Sequence, residues 1–171
     1  MKIILLGYMG SGKSTVGQVL AKNLELPFHD LDALIEDHEG TSIPQIFEEK
    51  GELYFRKLEY RILEEMLNSP ADFILALGGG TPCYGNNMSA ILKATQAVFY
   101  IQLPIPALSK RLLPEKAERP LISHIPDEEL PEFIGKHLFE RVPFYSRAHH
   151  TLNAENKSLE DLAEEIEGFL V

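Results

Sequence analysis

Little in this chain invites cross-linking. One cysteine, Cys83, among 171 residues excludes an internal disulfide and every metal site built from several cysteines. Lying just after Pro82, it reads as a small packed residue, because no neighbour in the sequence would activate its thiol. Positive charge is scarce as well: 16 Lys and Arg against 26 Asp and Glu leave a formal net charge of −10. That balance argues against a protein whose main work is to neutralise nucleic-acid phosphates or to coat an anionic membrane. Long apolar runs are missing too. The N-terminal stretch 3–6 is stopped by Gly7, too short for a signal segment, and no later stretch approaches about 18 residues. There is no internal repeat, low-complexity tract or dividing linker. The expectation is one soluble domain over residues 1–171, working in the cytoplasm without nucleic-acid or membrane partners.

What is present alternates short apolar runs with amphipathic segments. Strands are expected at 3–6, 28–30, 73–77, 97–103 and near 149–152. Helices are expected at 15–26, stopped by Pro27, and at 31–39, ended by Gly40. A short helix capped by Ser42 should end at Gly51, and a longer one should cover 52–67. Further helices fit 132–141 and 158–170, the last with Ser158 and Asp161 in capping-box spacing. Between 114 and 131 the prolines 114, 120, 126 and 131 stand among many charges, the pattern of a mobile excursion. Strands alternating with helices imply an α/β fold with a parallel sheet covered on both faces.

The strongest signal is Gly7-Tyr8-Met9-Gly10-Ser11-Gly12-Lys13-Ser14, which fits G-x-x-x-x-G-K-[ST]. Glycines at this spacing let successive backbone N–H groups curl around a phosphate. The lysine can reach the β- and γ-phosphates, and the Ser14 hydroxyl can ligate Mg²⁺. A buried strand before the motif and a helix after it supply the context that the motif requires, and the helix adds its positive end.

Weaker signals lie around it. Asp30 and Asp32 stand at the end of the second expected strand, where ligands of open parallel sheets bind. They could divide a metal shell and a substrate hydroxyl between them, or either could merely cap the next helix. Arg56 and Glu59 are three apart on a helix. Alone they read as a solvated surface pair; a sharper reading has Glu59 orienting Arg56 toward an anion. Gly78-Gly79-Gly80 marks either a close approach to a ligand or a tight turn. Arg119 suits a lid over a triphosphate or a solvated loop, and Arg141 suits either a ligand contact or the negative end of its helix. His149 and His150 alternate across a strand, so a shared metal is not expected.

In this order the pieces resemble shikimate kinase. The resemblance is carried by GYMGSGKST at 7–15, Asp30-x-Asp32, Phe55-Arg56-x-x-Glu59, Gly78-Gly79-Gly80, Arg119-Pro120-Leu121 and Arg141-x-x-x-Tyr145-x-x-Ala148. It implies a three-layer P-loop NTPase fold with a five-stranded parallel sheet, substrate-binding helices at about 31–67 and a mobile lid at about 112–131. It implies ATP binding by Gly10, Ser11, Gly12, Lys13, Ser14, Thr15, Arg111 and Arg119, with Mg²⁺ held by Ser14 and Asp30. Shikimate would meet Asp32, Arg56, Gly78, Gly79, Gly80 and Arg141, and catalysis would rest on Lys13, Asp32 and Arg119. The implied reaction is phosphorylation of the shikimate 3-hydroxyl by a monomer, on the route to chorismate and the aromatic amino acids. Arg111 precedes Arg119 by eight residues, where the family usually has seven. Rival readings are a gluconate or nucleoside monophosphate kinase and a nucleotide-binding module without catalysis.

Overall fold

Residues 3–6 are apolar without interruption because they form the middle of the sheet, covered on both faces. In the computed structural model, which describes residues 1–171, Ile3, Ile4, Leu5 and Leu6 are fully buried. They belong to β1 (Lys2–Leu6), followed by α1 (Lys13–Leu24), β2 (Phe28–Asp30), α2 (Leu31–Glu39), α3 (Ile43–Asn68) and β3 (Phe73–Ala76). Then come α4 (Asn87–Ala94), β4 (Ala97–Gln102), α5 (Ile105–Leu112), α6 (Leu130–Tyr145), β5 (His150–Asn153) and α7 (Leu159–Leu170). The five strands pair in parallel in the order β2-β3-β1-β4-β5. Truncating a central residue such as Ile4 to alanine there costs about 2–5 kcal/mol.

Strand order reverses around β1, so the connections after β1 and β3 diverge and leave a crevice beyond the strands' carboxyl ends. The loop after β1, the end of β2 and the glycines after β3 all open on that crevice. Helices pack as neighbours α1 with α7, α2 with α3, and α5 with α6.

Most expected elements are present, with informative shifts. The two helices expected on either side of Gly51 run as one element kinked there, Gly51 taking φ 85° and ψ 168°. Helix α6 passes Pro143 and continues to Tyr145, beyond the expected end near 141. Helices α4 and α5 have no counterpart in the sequence reading. Ser158 accepts from the Asp161 N–H while Asp161 accepts from the Ser158 N–H, so the capping box forms. Between α5 and α6 the chain makes short 3₁₀ turns at Leu113–Glu118 and Asp127–Glu129, with Ile122 buried as an anchor. His150 stacks between Phe99, at 5.0 Å, and Phe169, at 4.1 Å.

Candidate active site

The loop between β1 and α1 is shaped by its glycines. Gly10 and Gly12 take φ 79° and 95°, left-handed conformations that other residues adopt at a cost. The Lys13 ammonium donates to the Gly7 and Tyr8 carbonyls at 2.8 and 3.0 Å, so it is tethered inside the loop it opens. Burial pushes its pKa down to about 8; Asp32 and Asp30 oppose the shift, and Arg141 and Arg119 add to it. Arg111 on α5 donates to the Gly10 and Ser11 carbonyls, each at 3.3 Å, which sets it against the same loop.

Asp30 divides its two oxygens. Oδ1 accepts from the Ala33 N–H at 3.2 Å and caps α2, while Oδ2 accepts from the Ser14 hydroxyl at 2.7 Å. The capping reading and the metal-shell reading therefore describe different oxygens of one carboxylate. A hydroxyl and a carboxylate oxygen side by side, next to a phosphate loop, fit Mg²⁺. That ion takes one or two protein oxygens and completes its shell with water and phosphate. Asp32, two residues on, lies within α2 and points back over the loop. Burial, then Asp30 and Glu59, push its pKa up to about 6 against the pull of Lys13.

The glycines after β3 answer the choice between a tight turn and close approach. A methyl at Gly78 would stand 2.8 Å from Asp32 Oδ1, and one at Gly79 would stand 3.0 Å from Arg141 Nη1. At Gly80 it would meet both Nη atoms of Arg56 at 3.1 Å and Arg141 Nη2 at 3.3 Å. Three charged side chains thus occupy the room that three side chains would have filled.

The solvated-pair reading of Arg56 and Glu59 is overturned. Glu59 is only 1% exposed and accepts from Arg56 Nη1 at 2.9 Å and from the Thr81 hydroxyl at 2.8 Å. Asn87 continues the network by donating to the Thr81 carbonyl at 2.9 Å. Burial of a carboxylate demands such partners. Arg56 Nε, in contrast, is buried without a hydrogen-bond partner; the nearest carboxylate oxygen, on Glu52, is 3.7 Å away.

Arg141 reaches the site from α6, whose extra turn adds Tyr145 beside it. His137, Arg141 and Tyr145 are spaced by four, so they lie on one helix face. The Tyr145 hydroxyl donates to the Gly79 carbonyl. His137 Nδ1 shares a 2.9 Å hydrogen bond with the buried Tyr8 hydroxyl, and Arg141 lies 5.8 Å from the Tyr8 ring centroid. Burial, then Arg141, push the His137 pKa down to about 4, so the imidazole is neutral. Burial raises the Tyr8 phenol to about 12. Arg141 makes no ion pair; of the two guanidinium groups beside Gly80 only Arg56 meets carboxylates, hydrogen-bonded to Glu59 and 3.7 Å from Glu52.

A cleft of about 520 Å³ runs from Met9 and Gly10 past Lys13 to Asp32 and Gly79, with Arg111, Glu115 and Arg119 on its far wall. Arg119 donates to Glu115 through Nε at 3.0 Å and Nη2 at 2.7 Å. Arg56 and Arg141 do not line that cleft; they stand behind its Gly79 end. The sequence reading missed Thr81, Glu115 and the Tyr8–His137 pair. Of these, only Glu115 carried a signal, its spacing of four from Arg119. Cys83 is half-buried near Arg141 and Arg56, and burial pushes its thiol pKa up, in keeping with a packed rather than reactive residue.

The architecture and the sequence have known counterparts. The chain is 45% identical over 165 residues to a shikimate kinase of Flavobacterium johnsoniae, covering 96% of each. It is 41% identical over 160 residues to one of Phocaeicola vulgatus, covering 94% of this chain and 89% of that one. The crystal structure of shikimate kinase from Bacteroides thetaiotaomicron superposes with a TM-score of 0.91 at 33% identity, over 99% and 98% of the two chains. Shikimate kinase from Acinetobacter baumannii, solved in complex with shikimate, gives 0.88 at 34% identity over 99% and 92%. The shikimate kinase family model itself matches residues 9–170. On this family match over residues 9–170 and these identities over nearly the whole chain, the chain belongs to the shikimate kinase family.

Proposed function

We propose that this chain transfers the terminal phosphoryl group of ATP to the 3-hydroxyl of shikimate, and that its two substrates meet across Gly79. The observation that carries this reading is the convergence of Arg56 and Arg141 on Gly80 with an unpartnered buried guanidinium nitrogen. Two cations held together are stabilised by an anion between them, and a guanidinium grips a carboxylate through two parallel hydrogen bonds. Shikimate supplies one carboxylate for this clamp and hydroxyls on the other side of its ring for Asp32.

The loop amides, Lys13, Ser14 and Thr15 bind the ATP phosphates, with Arg111 and Arg119 approaching from α5 and the segment after it. On binding, Lys13 exchanges the Gly7 and Tyr8 carbonyls for phosphate oxygens, and Arg119 leaves Glu115 as residues 112–131 close. Ser14 and Asp30 would hold Mg²⁺, which when bound would supply positive charge to offset that of the phosphates. Asp32 accepts the proton of the attacking hydroxyl, its raised pKa keeping it a usable base near neutral pH. Lys13 and Arg119 stabilise the charge that spreads over the transferring group, so catalysis rests on positioning and electrostatics. No helix is long and apolar enough to cross a membrane; the enzyme is proposed to act as a monomer in the cytoplasm. The test is release of ADP from ATP and Mg²⁺ with shikimate, gluconate or AMP offered separately. Turnover is expected with shikimate alone. Turnover with another acceptor overturns the clamp assignment, and nucleotide binding without acceptor-dependent turnover overturns catalysis.

A further inference from the structure

Arg56 is held at one edge by Glu59, but an edge contact leaves a planar group free to tilt. What fixes its plane comes from another part of the chain. Tyr84, just past the 3₁₀ turn Thr81–Cys83, lays its ring against the guanidinium with 3.7 Å between the Arg56 Cζ and the ring centroid. At that distance the carbon lies over the ring face, where the π-quadrupole attracts a cation. The Tyr84 hydroxyl donates to Glu52 Oε1 at 3.3 Å, the oxygen that stands 3.7 Å from Arg56 Nε, outside hydrogen-bonding range. Glu52 is therefore engaged elsewhere and the Nε donor stays unclaimed.

We infer that Tyr84 is a positioning and specificity-determining residue for the acceptor: its ring fixes the plane of Arg56 so that the Nε–Nη2 edge meets a carboxylate. Glu59 sets rotation within the guanidinium plane, because it takes Nη1. Tyr84 sets the tilt of that plane, because stacking is strongest when the cation lies flat on the ring. Together they leave one donor edge with a single orientation, which lowers the ordering cost of binding. The ring also shields one face from water, so an arriving carboxylate meets a partly desolvated cation. Tyr84 itself is 37% exposed, at the rim rather than in the core, and its substitution removes little packing. An acceptor with its carboxylate in the plane of the clamp benefits from this arrangement; a neutral or out-of-plane acceptor does not.

This assignment rests on the reading of Arg56 as part of the carboxylate clamp, and the experiment separates the two. Steady-state kinetics on the full chain would compare Tyr84→Leu, which keeps apolar bulk without a π-face, with Tyr84→Phe, which keeps the ring without the hydroxyl. The expected result for Tyr84→Leu is a rise of about three- to tenfold in KM for shikimate, with KM for ATP and kcat within about twofold. Tyr84→Phe should return KM for shikimate to within about twofold of the parent. In an Arg56→Ala background, Tyr84→Leu should lower kcat/KM no further, because the ring acts through the guanidinium. An unchanged KM in Tyr84→Leu, equal losses in the Leu and Phe variants, or additive losses in the double variant would each overturn the role of Tyr84. An Arg56→Ala variant with normal KM for shikimate would overturn the clamp itself, and Tyr84 with it.

Discussion

The two halves of the site are built by opposite means. The phosphate half is a single stretch, 7–15, whose working parts are largely backbone amides held by glycines in conformations that a side chain would strain. The proposed acceptor half is assembled from side chains on three separate helices, Asp32 on α2, Arg56 and Glu59 on α3 and Arg141 on α6, around the glycines after β3. A contiguous loop keeps its function as long as its local spacing survives. An assembled pocket depends on every packing contact that brings its walls together. Variants in the two halves should therefore fail differently.

The largest effect is expected in the phosphate half. Lys13→Ala removes the one ammonium inside the loop and should lower kcat by at least about 100-fold, as loss of a transition-state charge contact does. Stopped or steady-state assays of ADP release check this, and near-normal turnover would count against the mechanism. Next comes the acceptor half. Arg141→Ala should weaken shikimate binding by about 2–4 kcal/mol, some 30- to 1000-fold, and leave ATP binding near normal. Calorimetric titration of each ligand decides it; equal losses for both would erase the distinction between the halves.

These two sites were not equally legible. The loop could be read from spacing alone because its chemistry is local. Arg56 and Glu59 could not, because a spacing of three on a helix looks the same in water as against a core. Tertiary packing buries Glu59, and its bond from the Thr81 hydroxyl turns a surface spacing into an anchored pair. Gly78–Gly80 carried the same ambiguity, since a glycine's reason lies in what approaches it. The end expected for α6 near 141 falls short of Pro143, a residue type that usually ends a helix. Here Pro143 is accommodated, and the last turn carries Tyr145 to Gly79. Helices α4 and α5 were passed over because each is eight residues long, too short for periodicity to stand out.

A third, smaller effect sharpens the contrast. Gly80→Ala adds one methyl where three guanidinium nitrogens lie 3.1 to 3.3 Å away. It should raise KM for shikimate by about tenfold, within the range of overpacking strain, with KM for ATP within about twofold. A rise in both would mean that the two halves share that wall. The last effect concerns stability rather than activity. The His137 pKa, depressed to about 4, means that the folded state binds fewer protons than the unfolded chain between the ordinary histidine value and about 4. Its contribution is complete above about 6.5 and is lost as pH falls through that window. Denaturation curves of the parent should thus show a steeper loss of stability from about pH 6.5 to 4 than those of His137→Asn. Parallel curves would remove His137 from the cause.

The face of α6 that carries His137, Arg141 and Tyr145 behaves as a ruler. Each residue advances an α-helix by about 100°, so one insertion or deletion between His137 and Tyr145 would swing at least one of them off the phosphate loop, Gly80 or Gly79. Residues 113–129 are less tightly constrained, since short 3₁₀ turns at the surface can absorb a change of length around the buried Ile122. The spacing of eight between Arg111 and Arg119, one more than is usual in the family, falls largely in that tolerant stretch. On the proposed reading, a change of length is better tolerated in the segment over the nucleotide than in the helix that carries Arg141.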